Sequence, residues 1–548
     1  MPPQPRARRL EPGIGMAMDP KHDLLTVPNP SVVGRKTSRA KLNGQVYTPT
    51  EIAAAMVSMV DWPSASSPNN VLLDPTCGDG VFLEAAMRKA VDVAPSKVAA
   101  EAIIKTQVIG WDIDPEALEL ARQRLSNTVH ELGLSDALPR LEQRNVLTSP
   151  APRNLGTIIG NPPYLESKRM PSAQKELIRQ VCPTASHGAF DMYSAVLERC
   201  IQFLEPTQGL LCFLIPNRFL VGAYCTHLRT HLLERADIGI VDLSRERIFR
   251  NAAVYPIILT ASLARKNRPH RTEHWSLPDP ATTRSEPHVV LSNQLIRERL
   301  GGVLPIAPSH HAGQSFLRRV LTDKNMVRLD RFAKTRWTVS FHRAGLRDRY
   351  VFSTEPNSQH ARPFLGGKKF FGNREVEAGH INWSGTWIDY DEERARADGN
   401  PFPPGELFNG SKIVICQNAR RMRCAIDDTG FVLKDTFLLL RPRDASAANT
   451  LLQWLVLVLN SDVLHFIYEH IFGGTRKGGQ HLHFLPRHLN LLPVPPCPER
   501  SIVSALHEGY TSGHPDIHAI EDLVRQAFNV TDAERSALSS YSYPARHA

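Results

Sequence analysis

The stretch Ile158-Ile159-Gly160-Asn161-Pro162-Pro163-Tyr164 decides the fold that we predict for this sequence. An apolar run ends here in an amide, two prolines and an aromatic residue. Ile158 and Ile159 are typical of the end of a buried strand, so the residues after them should lie at the carboxyl edge of a sheet, where open α/β folds bind ligands. We therefore expect a ligand site that begins at Asn161.

Asn161 and Pro162 supply two hydrogen-bond acceptors on a stiff backbone, because proline fixes φ and carries no N–H. The Asn161 amide oxygen and the Pro162 carbonyl can hold both hydrogens of an exocyclic amino group, with the Tyr164 ring stacked on its base. They would aim the nitrogen lone pair at an electrophile, so catalysis would rest on positioning. A nucleobase reaches such a pocket only outside the duplex. An ordinary proline-rich loop is the alternative explanation.

Composition indicates a large globular protein with a polyanionic partner. The 548 residues are 42% hydrophobic and 22% charged, enough for two or more domains. Lys and Arg number 65 against 55 Asp and Glu, a formal charge of +10. The cysteines show no paired spacing, and Cys200, Cys212 and Cys416 lie in apolar runs, so we predict reduced core cysteines in a cytoplasmic protein. The sequence shows no membrane-spanning run and no secretory signal.

A strand, a glycine-rich loop and a helix follow one another between residues 71 and 90. Val71–Asp74 is apolar up to its last residue, residues 75–80 form a turn, and residues 81–90 have helical spacing. Glycines let a ligand approach the backbone closely, and Asp74 can take the positive amino-acid end of a cofactor. A loop that only turns a tight corner is the alternative.

The next two strands end in polar residues where α/β nucleotide-binding proteins hold a ligand. Asp112 ends a strand predicted over residues 107–112, and Pro115 opens a long helix. The Asp112 carboxylate can accept hydrogen bonds from ribose hydroxyls, or it can only cap the helix. A third strand ends near residues 144–146, where Asn145 could meet an adenine amino group and Val146 the ring face.

Further strands at residues 209–217, 238–242 and 255–262 alternate with helices, which predicts a doubly wound parallel sheet. Helices are expected over residues 51–60, capped by a threonine, and over residues 195–204. Between the last two strands, Phe249 could form the other wall of a base pocket, or it could belong to the core.

The order and spacing of these residues resemble the gamma-class amino-methyltransferases, specifically the TaqI-like N6-adenine DNA methyltransferases. The resemblance covers residues 41–265 and implies an α/β, Rossmann-like catalytic domain with S-adenosylmethionine as methyl donor. It implies that a flipped adenine lies between Tyr164 and Phe249, with its amino group on Asn161 and Pro162. The family usually has Asp where Asn145 stands. The residues implied for the cofactor are Tyr47, Thr48, Asp74, Thr76, Gly78, Gly80, Asp112, Ile113, Asn145 and Val146.

The second half of the sequence interleaves basic and amide side chains with aromatic residues, a pattern suited to contacts with phosphates and base edges. Residues 490–496 loosely resemble the close of TaqI-type specificity domains, so we predict a C-terminal α+β target-recognition domain. A solvated charged face is the alternative for any single basic run. The residues expected to contact DNA are Arg336, Lys368, Lys369, Arg420, Arg421, Arg423, Arg476 and Lys477.

The chain is therefore predicted to contain five segments. They are a basic arm (1–40), a catalytic domain (41–265), a linker (266–320), a target-recognition domain (321–498) and a helical tail (499–548). Five histidines between residues 465 and 488 lack zinc-ligand spacing, so no metal is expected.

The expected activity is site-specific N6-adenine methylation of double-stranded DNA in a restriction-modification or phage-defence system. The arm is short and no cluster of metal-binding acids is evident, so we expect no nuclease activity and a separate nuclease as partner. We expect a monomer, associated with the nucleoid in the cytoplasm of a prokaryote. The alternatives are RNA adenine methylation, protein glutamine methylation and DNA binding without catalysis.

Overall fold

A nine-stranded sheet is the framework of the N-terminal half within the described residues. The structure is a computed structural model that describes residues 48–63, 70–204, 209–244, 248, 255–263, 268–277, 287–343, 345–366, 375–444, 448–475 and 481–539. The strands of this sheet are β1 (Val71–Asp74), β2 (Val108–Asp112), β3 (Arg140–Gln143), β4 (Leu155–Gly160), β5 (Leu210–Pro216), β6 (Asp237–Asp242), β7 (Pro256–Ser262), β8 (Arg271–Trp275) and β9 (Val289–Ser292).

Neighbouring strands follow the order β3-β2-β1-β4-β5-β7-β6-β8-β9. The first five run parallel, whereas β7 is antiparallel to both β5 and β6, and β9 is antiparallel to β8. The predicted parallel arrangement is therefore confirmed for the five strands from β3 to β5, and the remaining four strands pair in a mixed arrangement. Only residues 243–255 link β6 to β7, about the least that a parallel crossover needs, which favours the antiparallel pairing.

Helices cover both faces of the sheet, so its central strands are mostly apolar and are buried at nearly every position. Leu72 packs into one apolar cluster and its neighbour Leu73 into the other, as expected for a doubly covered strand. The helices of this half are α1 (Thr50–Met59), α2 (Val81–Val93), α3 (Lys97–Gln107), α4 (Pro115–Glu131), α5 (Ser172–Val181), α6 (Met192–Leu204), α7 (Arg218–Val221), α8 (Thr226–Arg235), α9 (Asn293–Leu300) and α10 (His311–Thr322).

Three local predictions need correction. No threonine caps α1, because Pro49 occupies the N-cap position and no side chain bonds the first turn. Strand β3 ends at Gln143, which leaves Asn145 in the following turn. Residues 266–320 were predicted to form a linker, but their described part contributes β8, β9, α9 and α10. The buried positions of β8 are Thr272 and His274, which are polar. The sequence therefore lacks the alternation of apolar and polar residues that would have predicted this strand.

An antiparallel sheet in the order β11-β21-β17-β19 organises the C-terminal half. Its strands are β11 (Ala333–Arg336), β17 (Lys412–Cys416), β19 (Cys424–Asp427) and β21 (Phe437–Pro442). The short strands around it are β10 (Val327–Arg328), β12 (Val351–Phe352), β13 (Ala361–Leu365), β14 (Val376–Glu377), β15 (His380–Ile381), β16 (Trp387–Asp389), β18 (Asn418–Ala419), β20 (Val432–Leu433), β22 (Leu482–His483) and β23 (Pro493–Val494). Runs of strands are followed by runs of helices, so this half is α+β, as predicted.

The C-terminal half also contains eight described helices. They are α11 (Leu329–Phe332), α12 (Glu392–Ala397), α13 (Ala448–Asn460), α14 (Asp462–Phe472), α15 (Pro486–Leu489), α16 (Arg500–Thr511), α17 (Ile517–Ala527) and α18 (Asp532–Ser539). The last three form the predicted helical tail, and an ion pair between Arg319 on α10 and Glu534 on α18 holds it to the body at 2.5 Å.

One hydrophobic core joins the two halves. The cluster that contains Leu73 continues through the C-terminal sheet to Phe466 and Val524. All eight cysteines are free and seven are buried, as predicted, while Cys497 is exposed. Across the described ranges, no single helix has the length and apolarity to cross a bilayer; residues 449–460 and 462–472 pass that test only as a pair bent by 68°.

Candidate active site

A cavity of about 710 Å³ opens at the carboxyl edge of the nine-stranded sheet. It lies where the strand order reverses, because β2 flanks β1 on one side and β4 flanks it on the other. Such a reversal leaves a crevice that open α/β folds use for ligands. The lining residues from the sheet edge include Thr76, Gly78, Asp112, Ile113, Asn145, Val146, Asn161 and Pro163.

The glycine-rich loop turns tightly between β1 and α2. Gly78 and Gly80 have φ angles of +54° and +83°, in the left-handed region that favours glycine. The Gly78 N–H donates to Asp112 Oδ2 at 2.9 Å, and Asp79 is ion-paired with Arg124 of α4 at 2.7 Å. These contacts fix the loop against the end of β2, so its backbone borders the cavity.

Asp74 is fully buried at the end of β1, and the next two residues line the cavity. Its Oδ1 accepts the Thr76 N–H at 3.1 Å, while Oδ2 has no hydrogen-bond partner among the described residues. Burial raises the pKa of the Asp74 carboxyl well above its ordinary value, partly offset by the Thr76 N–H. A cation beside Oδ2 would satisfy this carboxylate and restore its charge. Asp74 does not itself line the cavity.

Asp112 faces the cavity from the end of β2. Its Oδ2 accepts from Gly78 and its Oδ1 from the Asp114 N–H at 2.9 Å. Burial is the main cause that raises the Asp112 pKa, and these amides oppose it. Each carboxylate oxygen carries a further lone pair for a ligand hydroxyl. The helix N-cap is Asp114, whose side chain accepts from Glu116, so capping does not explain Asp112.

Ile113, Asn145 and Val146 form another part of the cavity wall. Ile113 is 64% exposed and lines the cavity, so its apolar side chain is open to a flat apolar ligand face. The Asn145 Oδ1 accepts the Leu147 N–H at 3.0 Å, which identifies the oxygen and places the amino group on the other end of the amide. Val146 is buried beside it.

Asn161 follows β4 and lines the cavity together with Thr48, which lies just before α1. The Asn161 side-chain nitrogen Nδ2 donates to the Thr48 hydroxyl oxygen Oγ1 at 3.1 Å. Close packing requires a glycine just before it, because a Cβ on Gly160 would come within 2.8 Å of Asp74 Oδ1. The carboxyl ends of β1 and β4 are therefore in close contact at Asp74 and Gly160.

Tyr164 is held beside this site by both ends of its side chain. Its hydroxyl donates to the Leu214 carbonyl of β5 at 3.0 Å, and its ring meets Tyr193 edge to face at 6.2 Å. Burial raises the pKa of Tyr164, so the hydroxyl stays neutral. Neither Tyr164 nor the buried Pro162 lines the 710 Å³ cavity. The predicted amino-group site is thus adjacent to the cavity.

A polar network behind Tyr164 escaped the sequence analysis. Asp191 Oδ2 accepts from the Tyr224 hydroxyl at 2.7 Å, and that hydroxyl lies 2.7 Å from the Tyr193 hydroxyl. Burial raises the pKa of Asp191, while the bond from Tyr224 lowers it. The network fixes the Tyr193 ring on which Tyr164 rests. Asp191 and Tyr193 are near neighbours in the sequence, but Tyr224 lies 33 residues after Asp191, so no local pattern connects it to them.

The cavity lining also includes residues that the sequence analysis did not select. They follow the central stretch or come from helices: Leu120, Leu165, Arg169, Pro171, Gln174, Met192 and Val196. Their nearness to Tyr164 in the sequence was the available signal for Leu165 and Arg169. Tyr47 and Phe249, which the sequence selected, lie outside the described residues.

The predicted DNA contacts occupy different environments. Arg336 and Arg420 are exposed and Arg423 is half-buried, while Lys368, Lys369, Arg476 and Lys477 lie outside the described residues. Arg421 is paired with Asp462 and lies 3.5 Å from Glu521 in the helical tail. We therefore withdraw Arg421 as a DNA contact, because its charge is used inside the protein.

Three protein-family models match parts of the chain. Residues 41–198 match the RMKL-like methyltransferase domain, and residues 153–249 match the Eco57I restriction-modification methylase. Residues 368–494 match the TaqI-like C-terminal specificity domain. The N-terminal half is thus similar to methyltransferase domains, one of them of restriction-modification type, and the C-terminal half is similar to a TaqI-like specificity domain.

Individual relatives agree with these matches. The Type II methyltransferase M.BstVI of Geobacillus stearothermophilus is 27% identical over 242 residues, which cover 40% of this chain and 42% of the relative. The ribosomal RNA large subunit methyltransferase K/L of Pseudomonas putida is 29% identical over 147 residues, covering 21% of this chain and 20% of the relative. The chain thus spans less than half the length of these curated relatives.

Among solved structures, the Type IIL restriction-modification enzyme MmeI in complex with DNA is similar with a TM-score of 0.52 and 13% identity. The similarity covers 91% of this chain and 73% of MmeI. It shows that both halves share a fold with that enzyme.

Proposed function

We propose that this protein transfers a methyl group from S-adenosylmethionine to N6 of an adenine at a specific sequence in double-stranded DNA. The observation that carries the proposal is Asn161, which stands at the strand-order reversal beside a ligand-sized cavity with its amide nitrogen bound to Thr48. The matches to a restriction-modification methylase and a TaqI-like specificity domain support DNA as the substrate.

The cavity fits S-adenosylmethionine in size and in chemistry. Its volume is within the range of small-molecule sites. Asp112 suits the ribose hydroxyls, and Ile113 with Val146 suits the adenine face. Asp74 is buried next to the lining residues Pro75 and Thr76, and its carboxylate suits the ammonium group. When bound, the cofactor supplies an activated methyl group. We assign cofactor contacts to Asp74, Thr76, Gly78, Gly80, Asp112, Ile113, Asn145 and Val146, and Tyr47 stays a proposal outside the described residues.

The target adenine would be held by acceptors rather than activated by a base. Asn161 Oδ1 and the Pro162 carbonyl accept the two amino hydrogens and orient the nitrogen lone pair. Tyr164 offers one ring face, and its neutral hydroxyl takes no part in proton transfer because it is bonded to Leu214. Phe249 is proposed for the opposite face. A base held in this way has left the duplex.

The C-terminal half would select the sequence. Arg336 is exposed at the end of β11, and the adjacent Trp337 is 50% exposed, a combination that suits phosphate and base contacts. Arg420 is exposed after β18. Arg423, Lys368, Lys369, Arg476 and Lys477 complete the proposed DNA contacts.

In the cell, the protein would modify chromosomal DNA as a monomer in the cytoplasm of a prokaryote, without cutting it. A separate restriction or defence nuclease would then be its partner. RNA adenine methylation is the second candidate. The match to the ribosomal RNA methyltransferase, which covers 21% of this chain, favours it. The TaqI-like match in the C-terminal half favours DNA.

Long-read sequencing of plasmid DNA from expressing cells tests the proposal. We expect N6-methyladenine at one recurring sequence, reduced about 100-fold or more in Asn161→Ala because a positioned hydrogen-bond acceptor is lost. Asn127→Ala is the matched control, since this exposed asparagine lies on α4 away from the cavity lining. Methylation that persists in Asn161→Ala contradicts the assigned role, and methylation of RNA alone supports the second candidate.

A further inference from the structure

Asn145 begins the turn that follows β3, and its own hydrogen bonds hold that turn together. Its backbone carbonyl accepts the N–H groups of Thr148 and Ser149 at 3.1 and 2.9 Å. Its side chain closes the same turn, because Oδ1 accepts the Leu147 N–H at 3.0 Å. Asn145 is exposed and lines the cavity of about 710 Å³. The turn therefore fixes this residue at the border of the proposed cofactor site.

The contact with Leu147 determines which end of the Asn145 amide is the oxygen. A backbone N–H group only donates, so the amide atom that it meets is the acceptor. Turning the amide over would set its NH2 group against that N–H and leave the N–H of a buried residue unmatched, which is costly. No hydrogen bond to Asn145 Nδ2 is present among the described residues. The amide therefore has a donor available for a ligand.

The cavity wall around this donor suits a flat aromatic ring. Val146 follows Asn145 directly, and the exposed apolar side chains of Ile113 and Leu120 line the same cavity. Apolar side chains pack on the face of a ring, and the few polar groups of such a site meet its edge. The edge of adenine carries one amino group, which donates, and the ring nitrogens N1, N3 and N7, which accept. An NH2 donor can pair with a ring nitrogen but not with the amino hydrogens.

We propose that Asn145 Nδ2 donates a hydrogen bond to a ring nitrogen of the cofactor adenine and that Asn145 does not bind the adenine amino group. The inference rests on the proposed function and deepens it, because it gives the polarity of one cofactor contact. It differs from the expectation that Asn145 meets the amino group. The aspartate that the resembled family usually has here could keep one oxygen for the Leu147 N–H, but its other oxygen would be an acceptor. Asn145 thus offers the ligand the opposite polarity.

Calorimetry on the full-length protein with analogues of S-adenosylhomocysteine tests the proposal. Three deaza analogues each replace one ring nitrogen, N1, N3 or N7, by a C–H group, and a fourth analogue lacks the amino group. We expect one deaza analogue to bind the wild type about 3–10-fold more weakly than S-adenosylhomocysteine, in line with the loss of one neutral hydrogen bond. Asn145→Asp keeps an oxygen for the Leu147 N–H and removes only the donor, so this difference should disappear or change sign.

Removal of the amide separates binding of a ring nitrogen from binding of the amino group. In Asn145→Ala, the deaza difference should disappear, whereas the relative affinity for the analogue without the amino group should stay within about twofold of its wild-type value. Asn127→Ala, at an exposed position of α4 outside the cavity lining, is the control and should leave every relative affinity unchanged.

Three results would overturn the inference while S-adenosylhomocysteine still binds. They are equal affinity of the wild type for all deaza analogues, a deaza difference that persists in Asn145→Ala, and a changed relative affinity of Asn145→Ala for the analogue without the amino group. The expected pattern in a protein that leaves DNA unmodified would uphold the Asn145 contact and contradict only the proposed methylation of DNA. A wild-type protein that does not bind S-adenosylhomocysteine would contradict both.

Discussion

At the scale of single residues, Asp74 shows how burial prepares a site. A carboxylate with no exposed surface and one unmatched oxygen is costly unless a cation comes close. Gly160 at the end of β4 lets this strand lie so close to Asp74 that a side chain at position 160 would collide with the Asp74 carboxylate. Asp74 thus carries a cost in the free protein that a bound ammonium group would relieve.

We expect Asp74→Asn to weaken S-adenosylhomocysteine binding by about 10–100-fold, because a neutral amide cannot pair with the ligand's ammonium group. Burial raises the pKa of Asp74, so wild-type affinity should rise with pH as the carboxyl ionises. Calorimetry over a series of pH values measures both effects. An equally steep pH response in Asp74→Asn would assign the titration to another group.

At the scale of secondary-structure elements, the helical tail is tied to the C-terminal half by charged groups. Glu521 on α17 accepts the Asp462 N–H at the start of α14 at 2.8 Å and lies 3.5 Å from the Arg421 guanidinium. Burial, and then the nearby Asp462, raises the pKa of Glu521 to about 7. The helical tail, to which the sequence assigned no role, thus packs on the C-terminal half through these contacts.

Glu521 should make stability depend on pH. Because its pKa is raised on folding, its contribution is fully present below about pH 4.3 and is lost as pH rises through about 7. Glu521→Gln mimics the neutral form, so urea unfolding should show a gain of roughly 1–2 kcal/mol at pH 8 and little change at pH 5. Asp522→Asn, at a half-exposed neighbour, serves as control. Equal effects at both pH values would exclude this titration.

At the scale of the whole molecule, two halves with one continuous core would act together on DNA. A Cβ on Gly474 would come within 2.8 Å of the Asn217 carbonyl, so the loop after α14 packs tightly on the end of β5. The excess of basic residues adds an attraction for phosphate that does not depend on sequence.

DNA binding should weaken steeply with salt, since each neutralised phosphate releases counterions. For Arg336→Ala we expect a Kd about 3–10-fold higher at low salt and a salt slope reduced by about one, if the side chain meets a phosphate. Arg122→Ala removes a surface arginine of α4 that pairs with Glu119 and is the matched control. Fluorescence anisotropy with a labelled duplex measures both. Identical slopes in Arg336→Ala and wild type would remove Arg336 from the interface.

The sequence by itself determined the central strands, the glycine-rich loop and the residues at the sheet edge, because strand periodicity and turn chemistry act over a few residues. The tertiary structure alone decided that Asn161 bonds to Thr48, since the two residues lie 113 positions apart in the sequence. It also decided that β8 and β9 extend the sheet and that Arg421 pairs within the protein. Those outcomes depend on long-range pairing and burial, which local patterns do not encode.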